Sequence, residues 1–82
     1  MNNNTAKNNQ VITFTCTRKL FKSDNAEEYF SYGIKAIQNA YVLQEIDDIS
    51  VDESAVILLA EILTREKASI IHFEDIVLDF IS

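Results

Sequence analysis

The sequence predicts an α+β domain: a three-stranded antiparallel β-meander followed by two α-helices packed on one face. Three observations carry that reading. Residues 11–46 alternate apolar and polar side chains with a period of two, in three runs separated by polar breaks. Residues 50–82 switch to spacings of three and four. The links between runs are short, which favours antiparallel neighbours over crossover connections.

The first strand starts at Val11. Ile12, Phe14, Cys16 and Leu20 share one face, Thr13, Thr15, Thr17 and Lys19 the other, and Arg18 interrupts the apolar side. β-Branched and aromatic residues dominate, as suits a strand with one buried face. Lys22 to Glu28 is a polar connection whose Ser-Asp-Asn favours a turn. The second strand sets Phe30, Tyr32, Ile34 and Ala36 against Ser31, Gly33 and Lys35. Gly33 is the chain's one glycine, and in a strand it marks a bulge or the close approach of another group. Gln38-Asn39-Ala40 closes a second hairpin. Tyr41 to Ile46 makes a third strand, with Val42 and Ile46 inward and Tyr41 and Leu43 outward.

Ser50 to Lys67 is the clearest element in the chain. Ser50 and Glu53 match a capping box, and Asp52 and Glu53 place negative charge in the first turn, where the helix dipole is positive. Ala55, Val56, Leu59, Ile62 and Leu63 fill one face, flanked by Leu58 and Ala60, while Ile57 falls on the polar side. The last helix covers residues 72–82. Phe73, Val77, Phe80 and Ile81 form its core stripe, with Ile76 and Leu78 beside it.

Eighty-two residues allow one small domain, placed at residues 11–82 behind a polar, Asn-rich tail at 1–10 that is expected to be disordered. A hydrophobic fraction of 48% is too high for a disordered chain as a whole. With one cysteine no internal disulfide can form, and Cys16 reads as a small buried hydrophobe. That usage fits a reducing cytoplasm. The start of the chain lacks a signal-peptide pattern, and no apolar run approaches membrane-spanning length, so no membrane partner is expected. The net charge of −6 is unevenly placed. Residues 1–39 hold five bases and three acids, whereas residues 40–82 hold two bases and ten acids. Such a half repels phosphates, so no nucleic-acid partner is expected either.

The segments YGIKA in the second strand, IDDIS-x-D before the first helix and IHFEDIVLDFI at the end resemble a small family of bacterial proteins. That family occurs in clostridial-type Gram-positive bacteria and is a domain of unknown function. The resemblance runs from Tyr32 to Ile81; where the family often carries Pro before the Ile-His, this chain has Ile70. It implies a bacterial or phage-borne cytoplasmic protein and no particular activity.

No residue pattern points to catalysis or to a cofactor. His72, Asp75 and Asp79 line one polar helix face, but a metal site needs ligands from a second element, so they read as solvated. Asp47, Asp48, Asp52 and Glu53 crowd the entry to the first helix without the glycine of a calcium loop. They are a candidate acidic docking patch for a basic partner. Tyr29, Ile37, Tyr41 and Leu43 are apolar or aromatic where the solvent face of the meander should be polar, and they form a candidate interface for a protein partner or for self-association. The expected function is that of a non-enzymatic interaction or regulatory module. The alternative is a phage-type inhibitor that mimics the charge of DNA and fills a basic groove.

Overall fold

The computed structural model describes residues 11–82; the Asn-rich segment 1–10, expected to be a disordered tail, lies outside the described residues. The elements are β1 (Thr13–Lys22), β2 (Glu28–Gln38), β3 (Tyr41–Ser50), α1 (Glu53–Arg65) and α2 (Ile70–Ile81). The strands make one antiparallel sheet in the order β1-β2-β3. This is the α+β meander followed by two helices that the sequence predicts.

The β1–β2 hairpin pairs without interruption from Thr13↔Ile37 to Lys22↔Glu28. Its register sets Phe14, Cys16, Arg18 and Leu20 opposite Ala36, Ile34, Tyr32 and Phe30, so the predicted apolar faces coincide. The connecting loop is held by the Ala26 amide donating to the Ser23 carbonyl (2.9 Å) and the Ser23 amide donating to the Glu27 carbonyl (2.8 Å). Ala26 takes the left-handed position at φ 65°, which three-residue hairpin loops require after their turn. Between β2 and β3 only Asn39 (φ 56°) and Ala40 (φ 68°) intervene, the paired left-handed geometry of a two-residue hairpin.

β3 is longer than the predicted Tyr41–Ile46 run and twice irregular. Tyr32 pairs with Ser50 and Ile34 with Ile46, so three residues of β3 face Gly33 alone. Asp48 enters the left-handed region here (φ 57°), and the displaced backbone folds over the glycine. A Cβ on Gly33 would collide with the Ile46 carbonyl oxygen and lie 2.8 Å from Asp47 Cα. The bulge also turns Ile49 inward, where it is buried in the core. A second shift sets Gln44 opposite Ala36 but Val42 opposite Ile37, leaving Leu43 as the extra residue. Val42 therefore shares the outer side of the sheet with Ile37 instead of pointing inward as the plain alternation implies.

The start of α1 differs from the capping box read at Ser50. Ser50 is still paired in β3, and its Oγ accepts from the Asp52 amide (3.0 Å). Asp52 is the N-cap: its Oδ1 accepts from the Ala55 amide (3.2 Å) and from the Ser54 hydroxyl (2.9 Å). The Ser54 hydroxyl first, and the Ala55 amide second, hold the Asp52 carboxyl below the usual carboxylate range. A depressed folded pKa gives stability that is complete above the unfolded value, near 3.9, and is lost as the pH falls through the folded value. Asp52→Ala is thus expected to lower the urea midpoint at pH 7 more than Ser50→Ala does. The gap between wild type and Asp52→Ala should stay constant above about pH 5 and close below about pH 4. Equal midpoints at pH 7 would place the cap elsewhere.

At its other end α1 closes in a Schellman motif. Lys67 sits at φ 56°, its amide donates to the Thr64 carbonyl (3.2 Å), and the Ala68 amide donates to the Leu63 carbonyl (3.0 Å). Ser69 then caps α2 by accepting from the Ile71 amide (3.2 Å), so this helix begins two residues ahead of His72, its predicted start.

Both helices lie on one face of the sheet. α1 buries Val56, Leu59, Ala60 and Leu63, and α2 buries Phe73 and Val77, against Phe14, Ile34 and Ala36. The rings of Phe14 and Phe73 meet edge to face at 5.1 Å. Thr64 joins α1 to the sheet: its Oγ1 accepts from the Phe14 amide (2.8 Å), and its hydroxyl lies in donating range of the carbonyls of Phe14 (3.2 Å) and Ala60 (3.0 Å). Four helix residues read as core or core-flanking, Leu58, Leu78, Phe80 and Ile81, are instead exposed.

Candidate functional site

The outer face of the sheet is where the sequence places a candidate interface. The register assigns it Thr13, Thr15, Thr17, Lys19 and Phe21 from β1, with Tyr29, Lys35 and Ile37 from β2. Glu45 and Val42 of β3 stand opposite Lys35 and Ile37. The middle of this face is polar. The bulge brings Asp47 over Gly33, and the Lys19 ammonium reaches it at 3.0 Å while also meeting Glu45 at 3.3 Å. Hydrogen bonds donated by the ammonium to these two carboxylates, Asp47 first, raise the Lys19 pKa.

The apolar members lie at opposite ends of that polar centre. Tyr29 stacks on Phe21 (5.9 Å between centroids) at the hairpin tip, whereas Ile37 lies beside Val42 at the other end of β2. Eight residues of strand separate them, roughly 26 Å. Tyr41 pairs with Gln38, out of phase with Ile37, and Leu43 is the bulge residue. Tyr29, Ile37, Tyr41 and Leu43 thus do not form the contiguous patch expected of them. The register shift at Leu43 moves Tyr41 and Leu43 off the line that simple alternation draws.

The candidate acidic patch divides as well. Asp47 is tied to Lys19 on the sheet, Asp52 is committed to the α1 cap, and Glu53 is the acid of that helix's first turn. Asp48 is exposed in the bulge. Cys16 is half-buried on the core side. Burial, and then the charge of Glu53, push its thiol up, which keeps it protonated at neutral pH. His72, Asp75 and Asp79 are exposed on α2. Among the described residues no group of three or more His, Cys, Asp or Glu side chains gathers as a metal-binding set. No helix among them is long and apolar enough to cross a membrane.

The most exposed large apolar side chain of either helix, Ile71, is on α2, just ahead of the start the sequence reading gave that helix. This helix is apolar on more than one side. Phe73 and Val77 point into the core, while Ile71 is 80% exposed, Leu78 54% and Ile81 53%. Ile71 and Leu78 are seven residues apart and fall on one outward line, with Glu74 and Asp75 between them. At its start this line runs into an open groove of about 510 Å³, lined by Val11, Ile12, Lys67, Ile70 and Ile71 among others. The signal was present in IIHFEDIVLDFI, whose apolar residues are too many for a single stripe.

No curated protein and no solved structure matches the chain. A family model does match, and it covers residues 1–82. The chain belongs to that family, DUF6514, a family of unknown function.

Proposed function

We propose that this protein is a small, acidic, non-enzymatic interaction module of the bacterial cytoplasm, a regulator or adaptor that works by binding another protein. The observation that carries this reading is the outer side of α2, where Ile71, Leu78 and Ile81 stay in contact with water although the domain has a complete core elsewhere. Apolar side chains aligned on a stable helix are a feature of helix-in-groove recognition. The resemblance to clostridial-type Gram-positive proteins supports a bacterial source. Lone Cys16 and its protonated thiol are compatible with a reducing compartment.

A charge mimic of DNA is the alternative, supported by the net charge of −6. It asks for acids spread freely over one face. Two of the acids at the α1 entry already serve the fold, Asp47 through Lys19 and Asp52 through the helix cap. That favours the apolar surface as the working feature.

The test is a tagged pull-down from the native host with wild type and Leu78→Glu. Leu78 is exposed, so the variant should keep the wild-type circular dichroism spectrum and melting curve. A protein retained by wild type and lost by a folded Leu78→Glu is the expected result. Retention of the same proteins by both would remove α2 from the proposed function.

A further inference from the structure

The charges around the exposed side of α2 say what kind of surface covers it. Glu74 and Asp75 sit between Ile71 and Leu78, and Asp79 follows. All three are exposed, and α2 carries no Lys or Arg. Among the described residues its acids form no salt bridge, in contrast to Asp47 on the sheet. Lys67 precedes the helix and lines the groove beside Ile71.

We infer that α2 docks, by Ile71, Leu78 and Ile81, on an apolar surface of another protein that is rimmed by Lys or Arg. This rests on the reading of the chain as an interaction module and names the partner's chemistry. A second copy fits poorly. A two-fold contact along α2 would bring the Glu74, Asp75 and Asp79 carboxylates of the two copies together without bases from either helix, and like charges across an interface oppose association. An anionic lipid surface and a nucleic acid are disfavoured for the same reason. A basic rim instead completes each acid as it covers the apolar line between them. Complementary charge of this kind speeds encounter and fixes register, while the buried aliphatic groups supply the holding energy.

The probes are two synthetic amphipathic helical peptides with the same leucine face, one with Lys at its polar positions and one with Glu. Each is titrated into the ¹⁵N-labelled full chain. The Lys peptide is expected to shift the amide signals of residues 70–81, and its affinity should fall roughly tenfold when salt is raised from low to high concentration. Leu78→Glu should abolish that binding. Glu74→Gln with Asp75→Asn should weaken it several-fold and flatten its salt dependence while leaving the fold unchanged. Equal binding of the Glu peptide, or shifts confined to the sheet, would overturn the inference. A wild-type dimer by sedimentation that Leu78→Glu dissociates would overturn the partner class but leave the interaction reading standing. Absence of binding by either peptide, with a pull-down indifferent to Leu78→Glu, would overturn both.

Discussion

Phe73→Ala should cost about 3–5 kcal/mol, the range found when a fully buried phenylalanine is truncated and its cavity cannot collapse. Phe73 has no exposed surface, and its ring packs edge to face on Phe14, which links the last helix to the first strand. A chain of this size has total stability of the same order, roughly 0.05–0.15 kcal/mol per residue. The variant is therefore expected to be largely unfolded at 37 °C. Phe80→Ala is the comparison, because Phe80 belongs to the same helix yet is 40% exposed and should cost far less. Urea denaturation of the two variants decides the matter. Similar losses would mean that α2 is rotated relative to the arrangement described.

Gly33→Ala is expected to cost about 3 kcal/mol, the upper end of what overpacking usually does. The added methyl group meets the Ile46 carbonyl and the Asp47 Cα, and both belong to backbone, so no rotamer change relieves the clash. The bulge must open or β3 must shift, and either change withdraws Ile49 from the core and parts Asp47 from Lys19. Thermal unfolding followed by circular dichroism would show the loss. An unchanged melting temperature would mean that the β3 backbone does not lie over the glycine.

Much of the fold was legible because its pattern is local. The β1–β2 register follows from strict alternation, and the turn at Asn39-Ala40 from a polar break of the right length. Gly33 announced an irregularity, but a glycine does not say how many residues oppose it. The three facing residues of β3 break the alternation that would have carried that strand on to Ser50. Two acceptable caps then lay two residues apart. Ser50 matched the capping-box pattern, yet pairing with Tyr32 keeps it in the sheet, and only Asp52 is free to turn into the helix. The members of the candidate interface are set apart for related reasons. Tyr41 and Leu43 were assigned by parity across a strand whose parity inverts at Leu43. Phe80 and Ile81 fit a core stripe by spacing, but whether a helix end still lies over a core depends on where the sheet stops, which is a tertiary fact.

The hydrogen bonds of Thr64 bear on what the open edge of the sheet can pair with. β1 lies at the edge of the sheet, and its TFTCT segment has the β-branched, uncharged character that invites a strand from another molecule. Thr64 takes up both backbone groups of Phe14 on the side away from β2. An incoming strand would find that rung occupied and would have to displace a helix to continue. Arg18 and Lys19, further along, place charge where the rungs are open. One hydroxyl, fifty residues downstream of the strand it guards, thus works as a stopper against edge-to-edge aggregation.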